Sequence, residues 1–171
     1  MRALSTISRF LAIALVAGLT LGACDDDDDP FNPLDDPEFE ANLTGAAERP
    51  DPVTTDATGE AGIDFDEEEV RFFIDLEDIT DVTLAHIHVG DANTAGPIVV
   101  ELFNAGGTPV SFTDRDNLVD DTFTEADIVV AGGIETLEDL LDAMEAGNTY
   151  VNVHTTANPN GEVRGQLVPH D

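Results

Sequence analysis

Apolar and polar residues begin to alternate at Phe39. Phe39, Ala41 and Leu43 are interleaved with Glu40 and Asn42; Ala61, Ile63 and Phe65 with Asp64 and Asp66; Val70, Phe72, Ile74 and Leu76 with Arg71, Phe73 and Asp75. A repeat of two places every second side chain on the same side of a strand, so each run predicts a strand with one buried face. Residues 82–89, 97–103, 149–155 and 162–168 predict four more. Turn chemistry separates the runs: Asp66-Glu67-Glu68, Asn93-Thr94-Ala95-Gly96, Asn104-Ala105-Gly106-Gly107 and Asn158-Pro159-Asn160-Gly161. Short strands at this spacing predict an all-β fold, an antiparallel β-sandwich or Greek-key-like barrel. One short helix is expected near the C-terminal third. Thr136 is a good N-cap, Glu138 and Asp139 suit the positive end of the helix, and Gly147 suits the residue past its end. Leu137, Leu140, Leu141 and Met144 fall on one face, which is expected to pack on the sheet. Thr124-Glu125-Ala126-Asp127 can start a shorter helical turn.

The chain before Phe39 has a different character. Residues 1–23 have the parts of an export signal: Arg2 and Arg9, an apolar run over 10–21, then Gly22 and Ala23. The run is too short for an ordinary membrane span. Leu21-Gly22-Ala23-Cys24 resembles a bacterial lipobox, which implies cleavage before Cys24 and lipidation of its thiol. Several acyl chains would give stable anchoring, since each buried methylene contributes about 0.8 kcal/mol. Residues 24–37 then read as an acidic tether. Asp25 to Asp29 repel one another, and Pro30, Pro33 and Pro37 interrupt regular structure. The expected organisation is a signal peptide over 1–23, a tether over 24–37 and one folded domain over 38–169. The protein is expected to be exported and held at the cell envelope by its lipid.

Composition narrows the function. The 171 residues carry 37 acidic and six basic side chains, all of the latter Arg, for a net charge of −31. Nucleic acid is excluded as a partner, because phosphate binding needs clustered Lys and Arg. The single Cys excludes an internal disulfide and a thiolate metal cluster. Loss of the leader would leave 37 acids against Arg49, Arg71, Arg115 and Arg164, a charge of −33. Repulsion of that size is relieved by salt, and a chain without Lys resembles the proteins of salt-loving organisms.

Four segments converge on a known module: Phe39-Glu40-Ala41-Asn42-Leu43-Thr44-Gly45-Ala46-Ala47-Glu48; Ala85-His86-Ile87-His88-Val89-Gly90; Gly96-Pro97-Ile98-Val99-Val100-Glu101-Leu102-Phe103; and the stretch from Ala146 to Leu167 that includes Tyr150-Val151-Asn152-Val153-His154 and Asn158-Pro159-Asn160-Gly161. Together they closely resemble the CHRD domain, the module repeated in chordin and found singly in many bacterial proteins. The resemblance runs from about Phe39 to Val168 and implies an all-β extracytoplasmic module. Arg49-Pro50-Asp51-Pro52 departs from the adjacent prolines more usual after the Glu, which implies an altered loop. The growth-factor antagonism of chordin does not follow, because a fold does not carry a function.

The candidate chemistry lies in the histidines. His86 and His88 are two apart on one predicted strand, so their rings share a face. His154 lies on another, on the same face as Tyr150 and Asn152. Were the two strands neighbours, three imidazoles would meet in a geometry suited to copper or zinc with an open position. The alternative is structural: imidazoles and Asn152 hydrogen-bonded to each other and to loop backbone, with Asn152 and Thr155 pinning the 158–161 turn. The stretch around His86 is also similar to the strand bearing metal ligands in copper–zinc superoxide dismutases. Four His in all, with His170 at the tail, are too few for that two-metal site. No nucleophile motif or phosphate loop is present, so no enzyme is expected, and a metal-dependent one ranks last. Asp81 and Asp91 flank the His strand as candidate supports for the ligands. Arg164 falls in the outward set Glu162, Arg164, Gln166, where an exposed cross-strand ion pair is expected. The first functional expectation is thus a lipid-anchored binding or structural module of the envelope, with an envelope protein as candidate partner; the alternative is a metal-binding protein using His86, His88 and His154.

Overall fold

A computed structural model describes residues 36–170, Glu67 excepted. The expected leader, Cys24 and most of the tether therefore lie outside the described residues. Among the described residues ten strands form one antiparallel sheet. In chain order they are β1 (Phe39–Thr44), β2 (Thr58–Asp66), β3 (Glu69–Glu77), β4 (Ile79–Val89), β5 (Ile98–Asn104), β6 (Val110–Phe112), β7 (Asp116–Phe123), β8 (Thr149–Thr155), β9 (Val163–Gln166) and β10 (Val168–Pro169). Their spatial order is β5-β4-β8-β9-β1-β2-β3-β7, with β10 on β1 and β6 on β4. The sheet curls into a nearly closed barrel: the segment after β7 reaches β5 through Val129 N–H, which donates to Val99 O at 2.8 Å. Among the described residues no helix is long and apolar enough to cross a membrane.

The alternating residues explain the interior. Phe39, Ala41 and Leu43 of β1, Ala61 and Ile63 of β2, and Val70, Phe72, Ile74 and Leu76 of β3 are all buried in one core. Val82, Ala85 and Ile87 of β4 join them, as do Val99 and Val100 of β5 and Val151 and Val153 of β8. Phe73, on the opposite side of β3, is also buried. It lies across from Gly62 of β2, and a side chain at Gly62 would occupy the space of its ring.

The helix α1 (Leu137–Glu145) starts at Thr136, whose Oγ1 accepts from Asp139 N–H at 3.1 Å while Asp139 Oδ2 accepts from Thr136 N–H at 3.0 Å. This reciprocal pair satisfies two donors that a helix start otherwise leaves open. Leu140 and Met144 are fully buried against the sheet, and Leu137 and Leu141 pack partly on it. A 3-10 turn over Glu125–Asp127 stands where Thr124 suggested one. Two strands, β6 and β7, are not foreseen by the alternation. The expected 162–168 strand is split: β9 lies between β8 and β1, and β10 pairs with β1.

The outer face of β4, β8 and β9 is not left to solvent. All seven residues of β8 are buried, its inner set by the core and its outer set by loops. The loop 90–97 folds back over it. Gly90 N–H donates to Asn148 O, Gly96 N–H donates to the Tyr150 hydroxyl, and Gln166 Nε2 donates to Gly90 O and Gly147 O. The loop 45–53 closes the other side, with Val53 N–H donating to Gly45 O.

Candidate metal centre

β4 and β8 are neighbours, and their register sets His86 opposite Asn152, His88 opposite Tyr150 and Leu84 opposite His154. The outer sides of two strands thus present His86, His88 and His154 together. One nitrogen from each ring lies within 4.8 Å of the others. His86 Nδ1 and His154 Nε2 are 3.0 Å apart, and the three ring centroids are 4.9 to 6.3 Å apart. A metal bound at about 2.0–2.1 Å to each would set tetrahedrally arranged nitrogens roughly 3.3 Å from one another. The cluster brackets that spacing.

Backbone carbonyls fix two of the rings. His88 Nδ1 lies 2.9 Å from Gly96 O, and His154 Nδ1 lies 3.2 Å from Pro159 O. A carbonyl only accepts, so both Nδ1 atoms carry protons and both Nε2 atoms hold free lone pairs. His154 Nε2 then accepts from His86 Nδ1. His88 Nε2 is buried and has no hydrogen-bond partner. Burial, followed by the neighbouring His154 and His88, pushes His86 down to about 4. Burial also lowers His88 and His154, against the opposing effect of their carbonyl bonds. All three rings are therefore neutral near pH 7, the form that ligates metal. Glu101 of β5 faces His86, with Oε2 4.0 Å from Nε2.

Around this cluster lie further groups, most in places other than those the sequence suggests. Tyr150 stands between His88 and Arg164: the His88 ring stacks on it at 4.9 Å and 12°, and the Arg164 guanidinium carbon sits 3.4 Å from its centroid. Arg164 is only 2% exposed, so the expected exposed ion pair is not formed. Its guanidinium instead donates from one nitrogen to Asp91 O at 2.7 Å and Thr94 O at 3.2 Å. Asn152 does not pin the 158–161 turn; its Nδ2 donates to Glu48 Oε1 at 2.7 Å. Thr155 does pin it, accepting from Asn158 N–H at 3.0 Å and donating to Glu162 Oε2 at 2.6 Å. Gly161 completes the turn at φ +124, where an added Cβ would come within 2.6 Å of Asn152 Nδ2 and 2.7 Å of Glu48 Oε1. Burial drives Glu48 up to about 7, against the attraction of Arg164 and the bond from Asn152. Asp81 and Asp91 serve elsewhere: Asp81 O accepts from Thr156 N–H, and Asp91 Oδ1 accepts from Asn93 N–H. His170 lies apart, with Nδ1 3.2 Å from Asp36 and 3.3 Å from Glu40.

The family model for the CHRD domain matches residues 39–167. The chain belongs to the CHRD domain family. No curated protein and no solved structure matches it. In this CHRD domain β4 and β8 bring the histidines together, while the chain between them supplies β5 to β7 and α1. The loops 45–53, 90–97 and 156–161 shape the surroundings. Of the surrounding groups, Glu48 and Arg164 have a sequence signal only in the rarity of Arg, since both look like surface residues in a strand-and-turn pattern.

Proposed function

We propose that this CHRD domain binds copper or zinc through His86 Nδ1, His88 Nε2 and His154 Nε2, leaving a coordination position open. The observation that supports this reading is the lone pair of His88 Nε2, buried without a partner while the other nitrogen of the ring is tied to Gly96 O. A purely structural network would satisfy that atom, as buried polar groups generally are. The two carbonyl bonds also do what outer partners of metal-bound imidazoles do: they fix the tautomer and the ring plane. For His86 to ligate, its proton would move from Nδ1 to Nε2, where Glu101 is placed to receive the hydrogen bond. The metal itself would contribute Lewis acidity or, for copper, electron transfer.

In this reading the lipobox-like Leu21-Gly22-Ala23-Cys24 supports display of the module at the envelope on a lipid anchor. Fatty-acid labelling tests that half, and label retained in Cys24→Ala would exclude it. Calorimetric titration of the full chain in detergent with zinc or copper(II) tests the other. One ion per chain is expected, with a melting point that rises with metal; at a hundredfold excess over Kd the gain is about 2.7 kcal/mol. An isotherm unchanged by combined His86→Ala and His154→Ala would overturn the metal assignment.

A further inference from the structure

We propose that a cavity beside the imidazole cluster binds a small carboxylate that carries a hydrogen-bond donor on the neighbouring carbon, as 2-hydroxy and 2-amino acids do. The inference goes beyond the metal reading and does not depend on it. The cavity measures about 580 Å³, within the range of small-molecule sites, and is bounded by the loops 45–53, 90–97 and 156–161. Arg49, Arg164, Asn152, Tyr150 and Glu48 line it.

The first observation is how the arginines are partnered. Arg71 pairs with Asp64 at 3.5 Å, and Arg115 pairs with Glu60 at 2.6 Å and Asp75 at 3.3 Å, all three acids on the sheet. Arg49 and Arg164 both line the cavity, and among the described residues neither has a carboxylate within 4.0 Å. In a chain with 37 acids, two arginines at one cavity with no carboxylate in contact leave room for an outside counter-ion. Arg49 donates only to the carbonyls of Ala46 and Glu48. Arg164 is buried with two carbonyls and a Tyr ring, and it attracts Glu48 across the cavity without touching it, so its charge is dispersed and only partly balanced. Glu48 lies in the same cavity but gives its Oε1 to Asn152.

The second observation is independent. Asn152 Oδ1 is buried and has no hydrogen-bond partner. Asn152 and Arg164 are directly opposite in the β8–β9 register and lie on the same side of the sheet. A cation with no carboxylate in contact and an acceptor without a donor therefore sit side by side. Their complement is a carboxylate with a hydroxyl or ammonium next to it.

The test is titration of the full chain in detergent, freed of metal beforehand on a chelating resin, with glycolate, glycine and acetate at constant chloride. The resin removes metal and stays out of the titration, so failure of the metal reading leaves the result standing, and the reverse also holds. Glycolate or glycine is expected to bind roughly tenfold more tightly than acetate, the worth of one well-placed hydrogen bond; whichever leads identifies the donor. Arg49→Gln, at a half-buried loop position, should weaken binding about tenfold without moving the melting point of the free protein, whereas Arg71→Gln should leave binding unchanged. Equal affinity for all three compounds, no binding at tens of millimolar, or equal effects of the two substitutions would overturn the assignment.

Discussion

Burial acts on Glu48 and on the three histidines with opposite consequences for folding. Glu48 holds its proton up to about pH 7 when folded, against 4.5 ordinarily. Between those values the folded chain binds more protons than the unfolded one, so this residue costs stability as pH rises. The histidines are displaced the other way. Their neutral rings favour the folded state fully above 6.5, and this is lost as pH falls toward about 4 in the case of His86. Glu48→Gln should therefore raise the melting point at pH 8 and leave it nearly unchanged at pH 4.5. The expected gain at pH 8 is about 1–3 kcal/mol, read from denaturant or thermal curves. The shared face of His86 and His88, and that of His154 with Tyr150 and Asn152, are legible in the sequence because a period of two is a property of the pattern, whereas the pairing of β4 with β8 is set by the sheet. The burial of Glu48 and Arg164 is not, because it comes from loops folding over the outer face, and loop paths leave no periodic trace.

At the level of elements, α1 shows how a local signal becomes structure. Thr136 and Asp139 satisfy each other's backbone donors, and Leu140 and Met144 then hold the helix to the sheet. Thr136→Ala should cost about 1 kcal/mol, measured by denaturant unfolding, with zinc affinity unchanged because the helix lies outside the imidazole cluster. β7 has no such signal. Asp116–Phe123 is acidic on both sides, and Leu118 and Val119 adjoin instead of alternating, beside a break of register opposite Ile74 and Asp75. Its pairing to β3 at the sheet edge is dictated by the partner strand, not by its own pattern. β9 and β10 look like one run because Val163, Gly165 and Leu167 keep a period of two. β9 lies between β8 and β1 while β10 pairs with β1, and the break between them happens in the backbone, where alternation does not register it.

Charge governs how the whole molecule responds to its solution. At −31, self-repulsion opposes compaction, and the only surface Arg–acid pairs among the described residues are those of Arg71 and Arg115. The Debye length falls from about 10 Å at 0.1 M salt to about 3 Å at 1 M. Stability should therefore rise steadily from low to molar sodium chloride, and a flat melting point across that range would remove the salt-adaptation reading.

Tyr150 has one more consequence. It is the chain's single tyrosine, and there is no tryptophan. Its ring touches His88 on one side and Arg164 on the other, so the only strong ultraviolet emitter in the protein sits between the imidazole cluster and the carboxylate cavity. Native fluorescence of the unlabelled chain thus watches both places at once, and copper should quench it while an incoming acid changes its intensity without quenching.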